Sequence, residues 1–348
     1  MSDPISAKVS EKIRNMSLIC AFLVVSIHVD WPDSVPLSAG WFIYNVVKEG
    51  IARIAVPFFF IVSGFFLAQH FNEEKWHDRE VRKRLKSLVV PFVTWSIITL
   101  VATTPLSIIA DIIAHRPFGT SIYFVDQCNY LRIFGFDLAD FPLHVPLWYV
   151  RCLFLFVLVA FVFKWLVEKL GYMWLCAAFL FNLFRADIIS NAGLSEFFCM
   201  GFSASGIFYF SLGIFLARHK VSCLSNKGAM ICGIAGCLLL TTNVVFVYNE
   251  WRYGGYLMSI ALPFLIYFVW HFISDKKRPR WLTNCSFPIF LMHTIMFGYL
   301  AVILKRLPLT ELQNACFMYF ASIIGSIAIT VILRRFSPRL ASLLFGGR

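Results

Sequence analysis

Charge is scarce in this sequence, and negative charge is scarcest. Of 348 residues only 14% are charged, with 19 Asp and Glu against 31 Lys and Arg, while 59% are hydrophobic and the mean hydropathy is +0.75. A soluble domain averages about 45–50% apolar and about 25% charged residues. A soluble globular fold is therefore excluded, and a polytopic membrane protein is expected. No C-x-x-C and no zinc-ligand spacing occurs among the ten cysteines, which excludes a zinc site and a disulfide framework. Cys20, Cys152, Cys176, Cys232, Cys237, Cys285 and Cys316 fall in apolar runs and read as small fillers. Cys128 and Cys199 lie in or near outward loops and form the one pair that could bridge. The apolar run at 16–29 lacks a small-residue cleavage site and leads into the body of the chain, so no cleavable signal is expected. No internal repeat and no soluble second domain is visible, which gives a single integral-membrane domain over 1–348.

What is present is positive charge, +12 in net. Its distribution excludes a nucleic-acid partner. The basic residues lie between hydrophobic runs: "KVSEKIR" at the start, "KWHDREVRKRLK" at 75–86, "SDKKRPR" at 274–280 and "RRFSPR" at 334–339. Lys and Arg beside spans mark loops on the cytoplasmic side, where they also meet anionic headgroups. A spanning helix needs about 20 apolar residues. Such runs occur at 15–32, 50–70, 87–105, 147–167, 171–185, 202–218, 228–248, 254–273, 283–304 and 314–333. The expected fold is thus all-α with about ten transmembrane helices and both termini cytoplasmic. Residues 106–146 form one long extracytoplasmic segment carrying Asp111, Asp126, Asp137 and Asp140. Its aromatic content argues for packing, as a lid or a re-entrant segment.

The first run, "KIRNMSLICAFLVVSIHVDW", has an arginine at one end and a histidine near the other. Fourteen residues at about 100° each put Arg14 and His28 within about 40° of one helix face, about 21 Å apart along the axis. Ionisable groups inside spans are costly and usually face a cavity or a partner. An arginine at a membrane boundary also snorkels, and a histidine there also serves packing alone. Arg53 falls level with His28 and Asp30, while Ser63 and Gly64 lie deeper in the second run, where small residues permit close approach. The third run follows a cationic cluster containing Lys83, Arg84 and Lys86; the fourth opens with Trp148, Tyr149 and Arg151; the ninth holds His293 near mid-membrane.

Taken in order, "RIAVPFFFIVSGFFL", "RKRLKSLVVPFVTW", "PLWYVRCLFLFVL", "YFSLGIFLAR" and "NCSFPIFLMHTIM", after the Arg14–His28 pair, resemble the acyltransferase-3 family of bacterial membrane acyltransferases over essentially the whole chain. Two positions differ. The family's first-span arginine usually lies eleven residues before the histidine, where this chain has Ser17, and its R-x-x-R pattern is met here by Arg84 followed by Ser87.

The resemblance implies transfer of an acyl group, usually acetyl, from cytoplasmic acyl-CoA as co-substrate to a hydroxyl of a cell-surface or lipid-linked glycan, with no bound cofactor and no metal. On that reading His28 is the general base, with Asp30 orienting it or the sugar and Arg53 or Arg151 stabilising developing charge. Arg14, Lys83, Arg84 and Lys86 would take the CoA phosphates, and the thin pantetheine arm would pass Ser63 and Gly64. Trp148, Tyr149, Arg151 and His293 would face the acceptor. The competing readings are a secondary transporter or flippase with His28 and His293 as a proton relay, and a non-enzymatic sensor or scaffold. The topology is directly testable. A cysteine placed near Asp126 should react with an impermeant reagent in intact cells and one near Lys276 should not; labelling at Lys276 would break the assigned orientation.

Overall fold

The computed structural model describes residues 6–117, 141–185, 188, 202–219, 224–249 and 254–347. Asp126, Asp137, Asp140, Cys128 and Cys199 lie outside the described residues. Among the described residues every regular element is a helix. The first, α1, covers Ala7–His28, and Ser6 caps it by accepting a hydrogen bond from the Val9 amide at 3.3 Å. A short α2, Ala39–Phe42, runs through a π turn at Ile43–Lys48 and a 3-10 turn at Ile51–Ile54 into α3, Ala55–Ala68. There follow α4 (Trp76–Arg84), α5 (Val90–Ile113), α6 (Leu147–Leu158), α7 (Ala160–Leu170), α8 (Tyr172–Leu183), α9 (Ala204–His219), α10 (Asn226–Tyr248), α11 (Gly254–Phe272) and α12 (Arg280–Thr283). The chain closes with α13 (Ser286–Leu304), α14 (Glu311–Phe336) and α15 (Pro338–Phe345).

Fewer helices reach membrane-spanning length and apolarity than the ten sequence runs suggested. Among the described residues there are six: Ala39–Ala68, Trp76–Ile113, Asn226–Tyr248, Gly255–Phe272, Ser286–Leu304 and Glu311–Phe336. There are seven if α6 and α7, bent by 67° at Val159, form one span. The remaining runs differ for visible reasons. Helix α1 has 22 residues but carries Glu11, Lys12 and Arg14 in its first half; α8 has 12 residues and α9 has 16. Large apolar side chains such as Val101, Ile231, Leu238, Phe320 and Ile324 stand exposed, as a lipid-facing surface requires. The segment 106–146 is partly regular: α5 continues through Pro105 to Ile113, and residues 141–146 pack back into the bundle, leaving His144 only 1% exposed.

Three sets of contacts fix how these helices sit against one another. First, polar residues of α1 are anchored around the link between α11 and α12. Glu11 pairs with Arg280 at 2.7 Å, and Asn15 donates to the carbonyls of Ser274 and Lys276 at 2.8 and 3.0 Å. Lys12 donates to the His271 carbonyl at 3.0 Å. Second, α3 and α9 cross at two glycines. A Cβ on Gly64 would lie 2.1 Å from the Phe210 carbonyl oxygen, and one on Gly213 would lie 2.0 Å from that of Ile61. Third, the Trp95 indole donates to the Leu344 carbonyl at 2.9 Å, and its ring stacks on His144 and Phe345 with centroids 5.8 and 6.4 Å away.

The glycine crossing generates a stability prediction. In either Gly64→Ala or Gly213→Ala the added methyl meets backbone that cannot move alone, a change of the kind that costs about 1–3 kcal/mol. Detergent-solubilised Gly64→Ala should unfold at lower temperature than the wild type; an unchanged transition would show that the helices separate without cost.

Candidate active site

The site is built from two regions joined by a ring of aromatics. At the end of the bundle where α1 begins lies a cavity of about 450 Å³. Ser10, Arg14 and Ser17 contribute from one face of α1, as positions three and four apart do on a helix. Arg84 enters from the end of α4, Ser63 from α3, Tyr149 from α6, and Thr283 and Asn284 from the link into α13. Arg14 and Ser17 face the same space, so the arginine one turn early serves the cavity that an arginine at position 17 would serve. The Nε atoms of Arg14 and Arg84 and the Thr283 hydroxyl are buried without a hydrogen-bond partner among the described residues.

Arg84 is held from behind by a carboxylate. Glu80 is 1% exposed, with Oε2 3.5 Å from Arg84 Nε and Oε1 3.2 Å from Lys83 Nζ. His70 approaches Glu80 at 3.8 Å and bonds Glu73 at 2.8 Å, while Glu73 also pairs with Arg79. Burial pushes the His70 pKa below its ordinary value, with Glu80 pulling the other way and the neighbouring cations adding to the lowering. Lys83 and Lys86 are exposed, and neither lines the cavity.

Aromatic side chains form part of the cavity lining. Tyr149 lies beside Phe290 and Phe59, with centroids 5.8 and 6.1 Å away, and its hydroxyl is 3.2 Å from that of Ser63. Phe290 in turn lies 6.3 Å from the His293 ring. Beyond it, the last residue of α1 meets α13: the rings of His28 and His293 lie 5.1 Å apart at 38°. His293 is fully buried and its Nδ1 donates to the Ile289 carbonyl at 3.1 Å. Lys48 and Arg53 act on His28 electrostatically; Lys48 donates to the Val29 carbonyl at 3.0 Å, and Arg53 pairs with Glu49 at 2.5 Å.

Several expected positions are revised. Tyr149 faces the cavity with Arg14 and Arg84, not an outer surface. Arg151 is 7% exposed within the bundle, and Trp148 packs on Phe60 with centroids 6.4 Å apart, so neither forms an open acceptor face. His293 stands behind His28 with no exposed surface. Gly64 is occupied by the α9 backbone and leaves room for nothing else. Asp30 is exposed past the end of α1 and makes no hydrogen bond to His28. Two residues were missed. His144 sits in "FPLHVP", where a lone histidine between prolines has no pattern, and Glu80 is one acid inside a basic run that reads as a solvated face.

A family model described as an acyltransferase domain, the acyltransferase-3 model, matches residues 13–335. No curated protein and no solved structure matches the chain. The match runs from the first turns of α1 to the end of α14 and takes in the cavity and both histidines of the paired rings, and the chain belongs to the acyltransferase-3 family.

Proposed function

We propose that this chain moves an acyl group, acetyl in the first instance, from cytoplasmic acyl-CoA to a hydroxyl of a cell-surface or lipid-linked glycan at a bacterial inner membrane. The observation that supports it most is the pair of guanidinium groups lining the cavity: Arg14 Nε is buried without a hydrogen-bond partner among the described residues, and Arg84 Nε has only the Glu80 carboxylate 3.5 Å behind it, with the Thr283 hydroxyl, also without a partner, in the same lining. A buried donor left without an acceptor costs about 1–3 kcal/mol. Phosphate oxygens would satisfy both guanidinium groups at once. The excess of Lys and Arg at this end of the bundle favours a cytoplasmic position for it. The pantetheine arm would then pass the Ser63 and Tyr149 hydroxyls between Phe59 and Phe290 and bring the thioester toward His28.

In that complex one ring nitrogen of His28 takes the proton of the acceptor hydroxyl as its oxygen bonds to the thioester carbon. The C–S bond breaks, and the proton returns to the departing thiolate. Arg53, already aimed by Glu49, stabilises the negative charge on the carbonyl oxygen. Asp30 and the 106–146 segment provide polar groups for the sugar. The paired rings also suit a transporter that relays protons through His28 and His293. Labelled acetyl-CoA separates the readings, since a transporter puts no label on glycan.

Two variants test the assignment, read as thiol release from acetyl-CoA by membranes of matched protein content. Arg84→Ala should raise KM for acetyl-CoA by about 10- to 100-fold, the equivalent of one charge-assisted hydrogen bond. An unchanged KM would return Arg84 to a structural role. His28→Gln keeps size and hydrogen bonding but accepts no proton, and should lower kcat by about 10²–10⁴-fold with donor KM near normal. Ordinary turnover by that variant would remove His28 from the chemistry.

A further inference from the structure

We propose that His293 is the positioning partner of His28: a neutral imidazole whose free lone pair accepts the His28 N–H and so leaves the other His28 nitrogen bare toward the acceptor hydroxyl. The inference rests on the reading of His28 as general base and explains an atom that packing does not. A carbonyl only accepts hydrogen bonds, so the contact from His293 Nδ1 to the Ile289 carbonyl at 3.1 Å places the proton on Nδ1. The lone pair of the neutral ring is then on Nε2. That atom is buried and has no hydrogen-bond partner among the described residues. Buried polar side-chain atoms are nearly always paired, so an orphan in a well-packed interior calls for an explanation.

Among the described rings around His293, one can supply a donor. Phe290 and Phe297 flank the His293 ring at 6.3 and 5.7 Å and offer no donor. His144 approaches from the 141–146 segment but is already engaged. Its Nε2 donates to the Leu291 carbonyl at 2.7 Å, so its Nδ1 is the acceptor that the Thr294 hydroxyl meets at 3.5 Å. His144 thus grips α13 on both sides of His293 and holds that ring in place without bonding it. The remaining ring neighbour is His28. Two imidazoles sharing an N–H···N bond of about 2.9 Å have ring centres about 5 Å apart, and the observed separation is 5.1 Å. A rotation of the His28 ring therefore forms the bond with no backbone movement. Lys48 and Arg53 cannot take the place of His293, because neither carries a lone pair to accept the His28 N–H.

Two substitutions at position 293 separate this role from packing. His293→Phe keeps a ring in a pocket already lined by phenylalanines but has no lone pair; His293→Asn loses ring volume but can donate to the Ile289 carbonyl and accept from His28. A packing role ranks Phe above Asn in both stability and turnover. Positioning of His28 reverses the order for turnover alone. His293→Phe should fold and unfold near the wild-type temperature, since it keeps a ring in a pocket lined by phenylalanines, yet lose about 100-fold in kcat for thiol release from acetyl-CoA with donor KM unchanged. Folded His293→Asn should retain at least about tenfold more turnover than His293→Phe. Turnover by His293→Phe within about threefold of wild type, or a folded Asn variant no faster than Phe, overturns the proposal. If His28→Gln is inactive while His293→Phe works, this inference alone fails. If His28→Gln turns over normally, or the wild type releases no thiol, the underlying reading fails and takes this one with it.

Discussion

The depth at which α1 sits governs the rest of the structure. Glu11 and Asn15 are almost fully buried, 6% and 2% exposed, and a buried polar group is costly unless it is bonded. Their partners, Arg280 and the carbonyls of Ser274 and Lys276, all belong to the stretch that leads into α13. Sliding α1 by one turn would orphan each of these groups together. The same stretch therefore registers two helices against one another. It sets Arg14 and Ser17 beside Thr283 and Asn284 at one end, and the rigid rise of the two helices carries His28 to His293 further along.

Between these ends the cavity is lined by guanidinium, hydroxyl and amide groups together with phenylalanine and tyrosine rings. Only the Ser63 and Tyr149 hydroxyls mark a polar track along the aromatic wall. His293 behind them is fully buried, and in such a medium each hydrogen bond it forms matters more than in solvent. Glu80 plays the matching part beside Arg84. It is a buried carboxylate that neutralises part of the cationic cluster and keeps Arg84, the cation reaching inward, from swinging back to the surface.

Sequence reading went far where a physical period or an order of motifs existed. The hydropathy runs give the helical class, the 100° step places Arg14 and His28 on one helix, and the ordered motifs give the family. It failed where position depends on contacts between distant segments. Tyr149 looks like an interfacial anchor because it opens an apolar run, yet residues 141–146 carry that run's start into the bundle. Gly64 looks like a passage because a gap left by a missing side chain and a gap filled by another helix read identically in sequence. His144 and Glu80 had no signal at all, since burial of a single polar residue is a tertiary fact. Six or seven helices of spanning length stand among the described residues, and α1 is not one of them for a related reason: it is apolar over its second half but spends its first on polar anchoring.

The bond from the Trp95 indole to the Leu344 carbonyl joins positions 249 residues apart. A chain made from its N-terminus places α5 in the bilayer long before Leu344 exists. Through all that time Trp95, and the His144 ring stacked on it, lack the surface against which they finally rest. Domains generally fold as units as their segments become available. Here a helix made late closes over one made much earlier, so this corner of the bundle, including the side chain that grips α13 around His293, acquires its final packing only once Leu344 has been made.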